Sequence, residues 1–190
     1  LIGGHGKKKT LLVFGGNKGL VGGLWNRLVD YLTVQLESYH EVMVYGEDVA
    51  KRLDLIISRK FRSKTRLYFF AFPPQGKIPL FQTDLLKFFQ EGSFSKIDIV
   101  WPKMVAFSFF QPFKKTIIPF DLKADIQSSN TKNNSAWPIF EPNRKKIFEE
   151  LADKYLFSVI RRIIIETKLA ESLSRATSME KAKGEVDKLI

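Results

Sequence analysis

Apolar positions along the chain fall into blocks of different spacing. Residues 10–14 form a short, nearly unbroken apolar run bounded by Gly15 and Gly16, the pattern of a buried strand. Beyond a glycine-rich turn, Leu24, Leu28, Val29, Leu32 and Leu36 recur at three- and four-residue steps and predict a helix ending near Tyr39. A second strand is predicted over 41–45, a helix over 47–60 and a third strand over 66–72, the last stopped by Pro73, Pro74 and Gly76. A helix over 79–90 follows, with Leu80, Phe81, Leu85, Phe88 and Phe89 on its apolar face. Residues 97–110 and 116–120 read as strands joined by a hairpin turn at 111–115, and Pro102 and Pro119 confine their neighbourhoods to sheet edges or bulges. A strand, helix, strand order implies a parallel pair with a crossover. The expected fold class is therefore α/β, a largely parallel, Rossmann-like sheet with helices on both faces.

The last third is helical. Residues 123–136, rich in Ser, Asn and Lys, predict a polar loop; Pro142 opens a helix through Leu151, and a proline-free pattern continues from about Asp153 to Ile190, with Gly184 its one glycine. These features divide the chain into an α/β body, 1–152, and a C-terminal helix, 153–190. Such a helix is about 57 Å long, against a body about 40 Å across, so it projects. Its apolar face is broad at Tyr155, Leu156, Val159, Ile160, Ile163 and Ile164, as packing on a sheet requires, then narrows to Leu169, Leu173, Ala176, Met179, Ala182 and Val186. The narrow part reads as a helix–helix seam, and no other segment is long and narrow enough to fill it. Its partner is expected from another chain or from residues outside these. Glu171 and Arg175, four apart, are expected to brace the solvent side by about 0.3–0.5 kcal/mol.

Composition removes several classes of chemistry. The chain has no cysteine and only His5 and His40, which excludes disulfides, thiolate metal sites, a cysteine nucleophile and a histidine-rich metal cluster. No run of about 18 apolar residues occurs, so no membrane-spanning helix is expected. The first residue is Leu1, and the chain reads as processed or as a fragment. The net charge of +11 is uneven, because residues 51–66 hold seven basic side chains against Asp54 alone. Arg59, Lys60 and Arg62 in that stretch are candidates for docking an acidic protein or headgroup surface rather than nucleic acid. The aromatics that follow, Tyr68, Phe69, Phe70 and Phe72, lack strand alternation, which suits a strand buried on both faces better than a base-stacking platform.

The turn at 16–23 invites a dinucleotide-binding reading, but Asn17 stands at a position where that fingerprint needs glycine, although Glu41 and Glu47 lie at about the distance of a ribose carboxylate. The alternative is structural, with Gly19, Gly22 and Gly23 permitting a tight turn and close helix–sheet approach. No phosphate-binding P-loop and no Gly-x-Ser-x-Gly elbow occurs. No catalytic residue, cofactor or metal is expected, and the chain is expected to bind neither ATP nor NAD.

Residues 8–26 resemble the first strand and turn of the γ subunit of F-type ATP synthases, whose turn reads Gly-Leu-Cys-Gly-Gly-x-Asn. Gly19, Leu20, Gly22, Gly23 and Asn26 match it, and Val21 replaces the cysteine. Phe140, Glu141 and Pro142, the run from Glu171 through Arg175 to Met179, and Leu189 and Ile190 resemble motifs at the start and along the C-terminal shaft helix of that family, and residues 117–119 resemble its Leu-Leu-Pro. Ser178, Gly184, Glu185 and Val186 depart from it, and no counterpart of the family's N-terminal shaft helix is expected among these residues. The resemblance implies a non-catalytic central-stalk subunit that transmits torque, held peripherally at the cytoplasmic face of the membrane. Its implied partners are catalytic α/β-type subunits, an ε-type rotor subunit and the membrane rotor ring. Two alternatives stand beside it: a γ-like paralogue in a rotary ATPase without a proton channel, driving other movement such as gliding, and an unrelated dinucleotide-binding enzyme domain.

Overall fold

Leu11, Leu12, Val13 and Phe14 are fully buried, because their strand has a neighbour on each side and helices on each face. The computed structural model describes residues 6–60, 65–107, 109–119 and 143–188, with the side chains of 58–60 and 144 excepted. Its elements are β1 (Lys8–Phe14), α1 (Leu24–Thr33), β2 (Glu41–Tyr45), α2 (Glu47–Lys60), β3 (Arg66–Phe70), α3 (Ile78–Glu91), β4 (Phe94–Ala106), β5 (Phe109–Ile118) and α4 (Arg144–Val186). The sheet order is β3-β2-β1-β4-β5, parallel except for the antiparallel β4–β5 pair. The expected sheet class and two-sided helical cover are both present.

Alternate residues of β1 serve two cores. Leu11 and Val13 join α1 and α2 through Leu28, Leu32, Val49 and Leu53. Leu12 and Phe14 join α3 and α4 through Leu85, Phe89, Leu156, Ile160 and Ile164. Helix α4 crosses from one core to the other, since Ala170 and Leu173 pack into the α1 side. A single helix runs unbroken from Arg144 to Val186, 43 residues and about 65 Å, where the sequence reading placed two segments.

Two expectations fail. The hairpin turn is not at 111–115: β4 ends at Ala106, β5 begins at Phe109, and residues 111–115 are strand. Pro102 faces Pro112, and two residues without N–H groups can oppose each other only at a non-hydrogen-bonded position. This pair lies past Val100, the last β4 residue opposite β1, so no third strand calls for the missing donor. The second failure is β3, which is an edge strand rather than one buried on both faces: Tyr68, Phe69 and Phe70 are 37–43% exposed. The polar loop at 123–136, and Phe140 to Pro142, lie outside the described residues.

One acid holds the antiparallel edge. Asp98 in β4 is buried and accepts from the Tyr39 hydroxyl, the Thr116 hydroxyl (2.7 Å) and Lys96 Nζ (2.9 Å). Burial alone would raise its carboxyl, but the hydrogen bonds from Tyr39, Lys96 and Thr116 and the Lys96 charge hold it below the ordinary carboxylate value. Burial and Asp98 together raise the Tyr39 hydroxyl. A folded-state value below the unfolded one gives stability that is complete above the unfolded value and lost as pH falls through the folded one. The Asp98→Asn variant should therefore lose about 1–3 kcal/mol or more at pH 7, and the gap from wild type should narrow as pH falls below about 4. Urea midpoints measured from pH 7 to pH 3 check both.

Candidate functional site: the turn beneath the long helix

Residues 15–23 connect the end of β1 to the start of α1, the place where a dinucleotide-binding fold receives its pyrophosphate. Here the chain's own side chains fill it. The Trp25 indole donates to the Lys18 carbonyl at 3.1 Å, and Asn17 Oδ1 accepts from the N–H groups of Glu47 and Phe72, both at 3.2 Å. Asn17 thus satisfies amides at the start of α2 and past β3. Glu41, one of the two acids considered for a ribose, lies at the opposite end of β2 and pairs with Lys8 at 3.3 Å.

Helix α4 covers the turn from above. Arg175 binds Glu171 at 2.7 Å and reaches the Gly19 carbonyl at 3.4 Å, with both side chains largely buried. This pair therefore faces the turn and not solvent, contrary to expectation. A Cβ at Gly16 would collide with Trp25 and Glu171, so the missing side chain is what lets helix and turn meet. Gly22 has φ 57, and a Cβ there would lie 3.1 Å from Ser178 Oγ. Gly19 and Gly23 are less constrained: a Cβ at Gly19 would meet only Asp48, at 3.8 Å, and one at Gly23 nothing within 4 Å. Leu20 also sits in the left-handed region, at φ 60, and is 75% exposed at the tip of the turn. Such strain costs of order 1–3 kcal/mol and persists where the surroundings fix it; here Trp25 and Arg175 hold the residues just before it.

A family model for ATP synthase matches residues 3–190. The chain belongs to the ATP synthase family. Among its similar proteins is the ATP synthase gamma chain of Mesoplasma florum, 28% identical over 180 residues, covering 92% of this chain and 60% of the relative. The gamma chain of Psychrobacter arcticus is 24% identical, covering 96% of this chain and 64% of the relative. The chain thus spans about three fifths of the length of these relatives. In fold it is similar to a chain of the Euglena gracilis mitochondrial ATP synthase rotor, with TM-score 0.66, 14% identity and coverage of 97% of this chain and 70% of that one. A chain from the Tetrahymena thermophila central stalk and c-ring gives TM-score 0.65 at 16% identity, covering 93% and 77%.

Within this ATP synthase family fold, α4 has two faces. Ile160, Ile163, Ile164, Thr167, Ala170 and Ser174 are buried against the body. Ile165, Leu169, Ser172, Ala176, Met179, Lys183 and Val186, at alternating four- and three-residue steps, are all exposed. Of the residues named for the seam, Leu169, Ala176, Met179 and Val186 lie on this outward stripe, while Ala182 is exposed beside it. Leu173 packs into the α1 core instead. Ile165 belongs to the stripe and was missed, although its spacing from Leu169 was the available signal. From Met179 to Lys188 every residue is exposed, so the helix leaves the body there. The side chains of Arg59 and Lys60, and Arg62 altogether, lie outside the described residues; nearby, Arg52 is engaged with Asp48 at 2.8 Å and Asn26 at 2.6 Å. Among the described residues no helix is long and apolar enough to cross a membrane.

Replacing Gly16 by alanine should lower stability by about 1–3 kcal/mol through overpacking against Trp25 and Glu171. Gly23→Ala, in open space and at φ −84, should change it by less than about 0.5 kcal/mol. Chemical denaturation of the two variants gives the comparison.

Proposed function

We propose that this chain is the body and C-terminal shaft helix of a γ-type central-stalk subunit, which transmits torque between a catalytic ring and a membrane-side rotor. The observation that carries the reading is the outward stripe on α4 beyond the body. A 3.5-residue repeat of exposed, mostly apolar or small residues, interrupted by Lys183, is what a coiled-coil partner requires, and it continues through the exposed stretch from Met179 to Val186. Membership of the ATP synthase family and the gamma-chain relatives support it. On this reading the division of labour is residues 1–152 as foot and 153–190 as the helix that packs on it and leads into the shaft, and Leu169, Ala176, Met179 and Val186 form the seam with Ala182 beside it, while Leu173 faces the body. The subunit performs no catalysis. Its partners are catalytic α/β-type subunits, an ε-type subunit and the membrane ring, and it is held peripherally at the cytoplasmic face.

The physical demands of that role suit the site described above. A shaft must not shear against its foot, and α4 is fastened by side chains from several elements. Gln82 donates to the Phe157 carbonyl at 2.7 Å, the Trp101 indole to Glu166 at 2.6 Å, and Arg175 to the Gly19 carbonyl. The glycine-rich turn is, in this account, a mechanical seat rather than a nucleotide site.

Affinity purification of the full-length protein, with identification of what accompanies it, tests the reading. Recovery of catalytic ATPase subunits is expected, and their absence would defeat it. The double variant Ala176→Glu and Met179→Glu should leave the stability of the isolated chain within about 0.5 kcal/mol yet sharply reduce that recovery. Amides of 176–188 should exchange fast in the isolated chain and slowly in the assembly; equal protection in both would remove the shaft. Reversing Arg59, Lys60 and Arg62 to glutamate should lower recovery of rotor or membrane partners, and recovery by the unmodified stretch should fall steeply with salt.

A further inference from the structure

At the end of the sheet where the parallel strands begin, cations gather. Lys8 and Lys9 open β1, Arg66 opens β3 and Lys96 lies near the start of β4. Lys9 and Lys96 are register partners on adjacent strands, so their side chains leave the same face next to each other. Like charges so placed repel. Lys114 of β5 reaches the same groove and donates to Gln35 Oε1 at 2.8 Å. With Gln35, Ser38 and Tyr39 from the segment between α1 and β2, these three lysines line a pocket of about 250 Å3.

The pocket's own counter-charge is already spent. Asp98 is fully buried, and its carboxylate takes the Tyr39 hydroxyl, the Thr116 hydroxyl and one proton of Lys96. Glu41, across the strand, is paired with Lys8. Lys114 has a neutral partner, and Lys9 Nζ has no carboxylate partner among the described residues. What remains is a concave surface rich in donors, from Lys9, Lys96, Lys114, the Ser38 hydroxyl and the Gln35 amide, with two positive charges uncompensated. Ammonium groups converging from three strands act as point charges, which suits a tetrahedral oxyanion better than the planar, bidentate recognition of a carboxylate.

We propose that this pocket binds a phosphate-type oxyanion. Such an anion would relieve the Lys9–Lys96 repulsion and replace Gln35 as the partner of Lys114. Its volume leaves room beyond one phosphate group, which admits either a phosphorylated solute or a phospholipid headgroup as the source of the anion. The inference is independent of the torque-transmitting role, and neither depends on the other's success.

The test titrates the full chain, in chloride buffer, with inorganic phosphate and with pyrophosphate, by calorimetry and by amide chemical shifts. Saturable binding that moves the amides of Lys9, Ser38 and Lys96 is expected. The double variant Lys9→Gln and Lys114→Gln should weaken it at least about tenfold with an unchanged circular dichroism spectrum, and Lys181→Gln on the far part of α4 should not. Lys96 is left in place because it supports Asp98. No saturable binding, or equal affinity in the double variant, overturns the proposal. Flotation with phosphatidylcholine vesicles, with and without phosphatidylglycerol, separates the two sources once phosphate binding is seen. Binding to the anionic vesicles that the double variant loses assigns the site to a headgroup. Vesicle binding that is absent or unaltered in the double variant assigns it to a soluble phosphate compound.

Discussion

The missing side chain at Gly16 decides where the long helix can lie. Trp25 closes in from the first turn of α1, Glu171 comes down from α4, and both occupy space that any Cβ would claim. Apolar burial supplies the force: Leu156, Ile160, Ile163 and Ile164 are each almost wholly buried, worth about 1.5–3 kcal/mol apiece. The Glu171–Arg175 pair is worth about 1 kcal/mol or less on ordinary expectations for such pairs. Burial therefore attaches α4 to the sheet without fixing its position along its axis, since a greasy face can slide. The directional contacts at the turn, Arg175 to Gly19 and Ser178 beside Gly22, are what set its register.

A second constraint acts at the other end of the sheet. β5 is joined antiparallel to a parallel sheet, with α1 covering its inner face, and Asp98 ties these parts together through Tyr39 and Thr116. A buried carboxylate needs compensation, and Lys96 provides it. The same arrangement places Lys96 beside Lys9 and leaves Lys9 uncompensated. The charge imbalance of the pocket is thus a consequence of how the edge strand is secured.

The parts of the fold that could be read from sequence are those where neighbours in space are neighbours in sequence. β1, α1 and β2 follow from an apolar run, a three- and four-residue period and a second short run; β1 and β2 lie close to where the pattern puts them, whereas α1 stops at Thr33, short of the expected end near Tyr39, and a 3-10 turn at Leu36–Ser38 takes up the rest. The hairpin turn was misplaced because Gln111, Pro112 and two lysines carry the composition of a turn; only the end of β1 pairing at Val100 shows why Pro112 is tolerated in a strand. Consecutive aromatics in β3 signal burial on both faces, yet strand order left β3 at an edge, and strand order is a long-range property. The Asp98 network joins residues 59 apart in sequence, and no local pattern announces it. Glu171 and Arg175 were legible as a pair, but not the side of the helix from which they meet the turn.

Helix α4 reconciles two periodicities on one cylinder. Its buried face follows the shape of the sheet and ends near Ser178, whereas the outward stripe begins at Ile165, keeps a seven-residue repeat and continues to Val186. The two overlap over residues 165–178, about 21 Å of helix. A helix seated on that stripe would therefore press α4 onto the sheet throughout the overlap before the pair leaves the body. A seven-residue repeat also drifts by about 20° per heptad on a straight helix, so the stripe turns slowly around α4 as it climbs. Over the overlap this drift is small enough for opposite faces to stay opposite. Beyond Met179, where every described residue of the helix is exposed, the stripe is free to wind, and supercoiling can begin without disturbing the seat at Gly16.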